Sequence, residues 1–365
     1  MILNEEQLLL RNTVADFLNK EAPIEALRML RDKADAPAWE PELWRGLCEL
    51  GAPAAAQPEE QGGLGFGAMG MGAIMIEVGR RLSASPLLSS AIFAQAVIRE
   101  CGSAQQIGQL LPDLLSGDAV ATVACQEGTH FEAETIRCFR ENNQLTGCKN
   151  LVIDAASADY LLVTALDRQG HLCIGRIAID APGVAITPRQ LMDGRQYGSV
   201  SFTHATVEEW LEGEQVVSGF ARALDETTVM LSAEMLGGSR ELLERTVAYL
   251  QEREQFDVKI GTFQALQHRL AQAYCQLELA AASVYAAMNA LDSAADNLAQ
   301  YASRAKTLTG DIYQHLSNEA VQMHGGMGVT DEMDIGLFLK RSRVCNQLLG
   351  DSAYHKDRFA TLRGC

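Results

Sequence analysis

Apolar residues return every three or four positions over most of the chain, and in one middle stretch they alternate instead. Glu5 to Leu18 sets Leu8, Leu9, Val14 and Phe17 near one face of a helix. Pro41 to Leu50 has proline in its first turn and stops at Gly51, the start and stop chemistry of a helix. Ala68 to Leu82 and Leu87 to Cys101 follow, so residues 1 to about 116 read as helical. From about Gly117 to Trp210 the period drops to two. Leu161 to Ala165, Leu172 to Ile179, Val184 to Thr187 and Ser199 to Thr203 read as strands, separated by breakers at Asp167 to Gly170, Ala181 to Gly183 and Asp193-Gly194. After Gly219 the helical period comes back at its most regular. Leu266, Leu270, Ala273, Leu277, Ala281, Val284, Met288 and Leu291 mark a long bundle helix.

The expected class is α+β multidomain: an N-terminal α-helical domain over 1–116, a middle β domain over 117–212 and a C-terminal helical bundle over 213–365. A chain of 365 residues can bury a core in each, and 21% charged against 47% hydrophobic residues is an ordinary globular balance.

Charge and cysteines narrow the function classes. A net charge of −17 argues against nucleic acid or an anionic membrane as the partner. Leu277 to Leu291, the longest apolar-leaning run, is interrupted by Glu278 and Ser283 and is too short to span a bilayer. The beginning, Met1 to Glu6, lacks a positive segment leading into an apolar run, so a cytoplasmic protein is expected. Nine cysteines without a C-x-x-C read as reduced thiols, with no zinc or disulfide assigned.

Two glycine-rich stretches invite a nucleotide reading. Gly65-x-Gly67-x-x-Gly70 spells the dinucleotide fingerprint, but Ala54 to Gln61 before it is no strand, so a loop entering a helix is expected. In Gln322-Met323-His324-Gly325-Gly326-Met327-Gly328 the glycines either cap a helix over Asp311 to Met323, with Ile312, Leu316, Ala320 and Met323 on one face, or open the backbone to a polyphosphate. His324 either bonds a cofactor or packs. His268 reads as structural, and Lys340-Arg341-Ser342-Arg343 as a solvated helix face that could answer a phosphate.

Upstream, Arg253 to His268 closely resembles the R-x-Q-F-G-x-x-I-x-x-F-Q-x-x-Q-H signature of the acyl-CoA dehydrogenase family, and Gln322 to Gly328 resembles its Q-x-x-G-G-x-G. Order and spacing also match, with weaker matches at Pro58 to Gly65 and Leu145 to Lys149. The resemblance implies a helical domain, a β domain and a four-helix bundle that makes the dimer and tetramer contacts. It implies FAD as cofactor and α,β-dehydrogenation of an acyl-CoA thioester: a carboxylate takes the α proton while the β hydride passes to flavin N5. Arg253, Phe256, Gln264, Gln322, Gly325 and Gly326 correspond to the set that reaches across a subunit boundary to the ADP half of a neighbour's FAD.

The catalytic side departs from the family. Its glutamate base occupies one of two positions, which align here with Leu349 and Thr227, and neither is an acid. Glu226 and Asp351 lie close by, and each reads most simply as a solvated acid. The family's T-E-x-x-x-G-S-D segment becomes Gln126 to Phe131, and its W-I-T becomes Leu151-Val152-Ile153. Asp225 aligns with a family aspartate near the pantetheine arm, but the arginine expected three residues on is Thr228.

This asymmetry implies a subunit that shares a flavin site with a homologous partner carrying the glutamate, as in the family's heterotetramers of steroid and carboxylic-acid catabolism. The alternatives are a self-sufficient homodimer or homotetramer using Glu226 or Asp351 as a displaced base, and a non-enzymatic scaffold without flavin.

Overall fold

A computed structural model describes residues 3–33, 37–133 and 135–365. Six helices come first: α1 (Glu5–Glu21), α2 (Ile24–Asp32), α3 (Pro41–Glu49), α4 (Gly67–Arg81), α5 (Gln95–Cys101) and α6 (Ala104–Ser116), with a fully buried π-helix over Leu87–Ala94 leading into α5. Strands β1 (Ala121–Ala124), β2 (Phe139–Glu141), β3 (Gln144–Ile153), β4 (Tyr160–Leu166), β5 (Leu172–Ala178), β6 (Val184–Gln190), β7 (Gln196–Thr206) and β8 (Glu209–Leu211) follow. Then come α7 (Gln215–Glu252), the hairpin β9 (Glu254–Gln255) and β10 (Val258–Lys259), α8 (Gln264–Asp292), α9 (Leu298–His324), α10 (Ile335–Gln347) and α11 (Ser352–Arg363). Among the described residues no helix is long and apolar enough to cross a membrane.

The chain folds as two compact units, residues 1–25, 68–83 and 228–365 in one, and 26–67 and 84–227 in the other. The second holds the eight-stranded sheet, in the order β6-β7-β3-β2-β4-β5-β8 with β1 parallel to β4. Its core is Leu145, Leu161, Val163, Ile177, Val200 and Phe202. The alternating pattern marked β4 to β7, whereas β1, β2, β3 and β8 carry no such signal. β1 is buried on both faces, and β3 is broken by register shifts at Leu145/Gly147 and Lys149/Val152.

In the first unit the bundle helices bury the expected seam: Ala273, Leu277, Ala281, Val284 and Met288 of α8, and Ile312, Leu316, Ala320 and Met323 of α9. α4 crosses α7 at paired glycines, where a Cβ on Gly79 would lie 1.9 Å from the Glu234 carbonyl oxygen and one on Gly237 the same distance from that of Ile76. No side chain fits there. Two expectations need correction. The buried face of α1 is Val14 and Leu18, one turn apart, while Leu9 is 68% exposed. The run Lys340 to Arg343 is not a solvated face: Arg341 is 3% exposed and donates two hydrogen bonds, at 2.9 and 3.0 Å, to the buried Glu234 carboxylate.

Candidate functional site

One end of the bundle gathers the signature residues. Tyr249, in the last turns of α7, stacks on His324 at 4.1 Å between ring centroids and donates its hydroxyl to the His324 carbonyl. Arg253 follows one turn beyond Tyr249, its N–H bonded to the Tyr249 carbonyl at 2.9 Å, and Gly325 directly follows His324. The stack therefore ties the ends of α7 and α9 together. The hairpin returns the chain to α8, with the Ile260 N–H donating to the Arg253 carbonyl and Gln264 opening the helix. Tyr249 was missed in the sequence, although its place four residues before Arg253 puts both on one helix face.

The side chains of Arg253, Gln264 and Gln322 are exposed, and none has a partner among the described residues. Water satisfies such groups without loss, so the fold does not need them there. Gly325 closes α9 through its N–H to the Gln322 carbonyl, in the positive-φ conformation (59°) that glycine enters freely. A Cβ on Gly325 or Gly326 would meet nothing within 4 Å, so the backbone here is open to a large ligand. His324 packs: it is buried, hydrogen-bonded to the Ala320 carbonyl, and its pKa is lowered by burial. His268, by contrast, lies exposed. The free forked donor, the two free amides and the open glycine pair fit a dinucleotide such as FAD. Among the described residues no group of three or more His, Cys, Asp or Glu is placed to hold a metal.

The positions aligned with a base are occupied differently. Leu349 lies in the turn between α10 and α11, with φ 57°, followed by Gly350 at φ 99°. His355 Nε2 donates to the Leu349 carbonyl at 3.0 Å and the buried Lys306 to the Gly350 carbonyl at 2.7 Å, so the turn is clamped from within. Burial, helped by the charge of Lys306, holds the His355 pKa down at about 3, and burial lowers that of Lys306 to about 8. Thr227 is fully buried and its hydroxyl donates back to the Ala223 carbonyl at 2.7 Å.

Neither neighbouring acid is the solvated group expected. Glu226 accepts a hydrogen bond from Arg99, which also holds Glu100 at 3.0 Å and Gln57 at 3.3 Å. Asp351 caps α11, accepting from the Tyr354 N–H at 2.9 Å. Asp225 and Thr228 are both buried. In the sheet unit, Glu127 takes Lys149 Nζ at 2.6 Å and the amides of Arg137 and Cys138. Burial works against its charge, but these bonds outweigh it and hold its pKa below the usual range. Gln126 turns its amide to the Gly128 carbonyl, and Leu151 and Ile153 offer no hydroxyl. At the Gly65-Gly67-Gly70 stretch, Asp292 accepts from the Ala68 and Met69 N–H groups, so a carboxylate of the same chain fills the helix start a phosphate would need.

Comparison with known proteins identifies the family and the fold. Residues 4–118 match the model described as acyl-CoA dehydrogenase, N-terminal domain, and residues 218–361 that of the C-terminal domain. Acyl-CoA dehydrogenase IpdE2 of Mycolicibacterium smegmatis is 30% identical over 350 residues, covering 95% of this chain and 96% of that protein. Among solved structures, a Tcur3481-Tcur3483 steroid ACAD variant superposes with a TM-score of 0.90 at 26% identity, covering 100% of this chain and 99% of that one. The ChsE4-ChsE5 complex of Mycobacterium tuberculosis gives 0.90 at 25%, covering 100% and 98%.

Proposed function

The chain belongs to the acyl-CoA dehydrogenase family, FAD-dependent oxidoreductases acting on CH–CH bonds, and we propose that it is a subunit lending half of a flavin site to a homologous partner that carries the catalytic glutamate. The observation that carries this reading is the contrast between free donors at the bundle end and engaged groups at every position where a base is sought. FAD, when bound, accepts the β hydride of an acyl-CoA thioester as a base removes the α proton. In this chain Arg253 would hold a pyrophosphate with its fork, Gln264 and Gln322 would hydrogen-bond the adenosine end, and Gly325-Gly326 would let the backbone come close to it. Neither Leu349 nor Thr227 carries a carboxylate that could accept the α proton, and the ion pair with Arg99 weighs against Glu226 as a displaced base. Two solved relatives are named as paired chains, which supports a two-chain assembly.

The test is reconstitution. The chain alone is expected to bind FAD weakly and to show no acyl-CoA-dependent flavin reduction. Co-expression with a family member bearing glutamate at either base position should yield a yellow complex that turns over, and Glu226→Gln in this chain should leave its rate unchanged. Robust turnover by the pure chain, abolished by Glu226→Gln, would replace this reading with the homo-oligomeric one. A complex without any flavin absorbance would leave only a scaffold.

A further inference from the structure

The hairpin between Arg253 and Gln264 turns through Phe256 and Asp257, with φ of 56° and 59°. Pairing of Gln255 with Val258 and Glu254 with Lys259 leaves these two residues as the whole loop. A two-residue loop with positive φ at both positions is a type I′ turn, which Asn-Gly enters readily and a bulky pair does not. Strain of this kind directs attention to what the side chains do. Phe256 is 86% exposed and meets Phe263 edge-on at 6.3 Å.

Asp257 is exposed, and its carboxylate has no partner among the described residues. The hairpin's one lysine cannot neutralise it, because Lys259 is held by Glu254 at 2.8 Å and by the Glu252 carbonyl at 3.0 Å. The Arg253 side chain likewise has no partner among the described residues, so the two opposite charges stand apart on one hairpin. Three steps of about 3.3 Å from Arg253 to the turn put the main chains of the two residues roughly 10 Å apart. No ion pair joins them among the described residues, and the spacing is within about one screening length in dilute salt. The family signature has an uncharged glycine at this position.

We propose that Asp257 sets the affinity of the lent nucleotide site by placing a fixed negative charge at its rim, where it opposes the diphosphate that Arg253 attracts. The assignment rests on the shared-site reading above, because it needs a dinucleotide beside Arg253. Across about 10 Å of water one charge pair changes binding roughly twofold, and partial exclusion of water by a covering subunit raises this to about fivefold. Salt screens the repulsion, so its effect is largest in dilute buffer.

The experiment titrates FAD by flavin fluorescence into the complex of the full chain with a glutamate-bearing homologous subunit, at about 20 mM and about 500 mM salt, sampling long and short screening lengths. Asp257→Asn keeps the side chain's size and its tolerance of positive φ while removing the charge. It should bind FAD about two- to fivefold tighter in dilute salt, with the gain shrinking at high salt. Asp257→Gly should match that gain and, by relieving the turn, also raise the melting temperature, which Asp257→Asn should not. An asparagine variant that binds no tighter than the wild type in dilute salt overturns the assignment, including the case in which neither binds. A gain independent of salt does so too. The shared-site reading itself fails on a different result, tight FAD binding and turnover by the chain without a partner.

Discussion

The bundle end around Arg253 and the turn at Leu349 lie in the same compact unit, yet they treat polar side chains in opposite ways. At the bundle end Arg253, Gln264 and Gln322 stand in solvent without side-chain partners among the described residues. At the turn Lys306 and His355 are buried and bonded to main-chain oxygens, and elsewhere in the unit Arg341 is locked to Glu234. A buried polar group must be satisfied at home, so its loss registers in stability. An exposed, unpartnered donor adds nothing to folding and registers only when a ligand arrives. The two regions are thus separable by which measurement a substitution moves.

The sharpest test of the engaged side is Arg341→Met. It strands the Glu234 carboxylate in the interior, and the expected loss is about 3–5 kcal/mol in urea unfolding. Changing Glu234 to leucine in the same variant should recover most of it, because an apolar pair replaces a lone charge. A loss below about 1 kcal/mol would mean that the pair is not buried as described.

A somewhat smaller effect is expected from acid. The folded His355 resists protonation until about pH 3, whereas in the unfolded chain the ring takes its proton near the ordinary value of 6.5. The unfolded state binds the proton first, so the contribution of His355 is complete above pH 6.5 and is lost as pH falls towards 3. By pH 4 the loss should reach about 3 kcal/mol, and comparing wild type with His355→Gln across this range isolates it. Parallel curves for the two proteins would contradict the clamp.

The free side should give the smallest free-energy change and leave stability untouched. Arg253→Ala is expected to weaken FAD binding to the reconstituted complex by about ten- to a hundredfold. Its melting temperature should stay within about a degree of the wild type. If Arg253→Ala destabilised the chain as Arg341→Met does, the contrast between the two regions would collapse.

Much of this was readable in the sequence. Helical spacing found α8 and the seam of α9, which each have one wet and one dry side, and the strand reading found β4 to β7, where runs rich in β-branched and aliphatic residues are set off by turn breakers. β1 is only four residues long and buried throughout, and β3 slips register twice, so neither carries a period. The donor set could be named because Arg253 to Gln264 and Gln322 to Gly326 are local stretches. The engagement of Glu226 by Arg99 and of Arg341 by Glu234 could not, since each joins residues more than a hundred positions apart. A charged run such as Lys340 to Arg343 looks solvated until its distant partner is seen.

The clamps at Leu349 and Gly350 seize carbonyl oxygens, which every amino acid carries alike. They hold the main chain whatever residue 349 is, while the Leu349 side chain, buried in the core, adds apolar packing of its own. A single codon could therefore rewrite the chemistry at that spot while the carbonyl clamps still carry α10 over to α11, at the cost of whatever the new side chain leaves unsatisfied in the core.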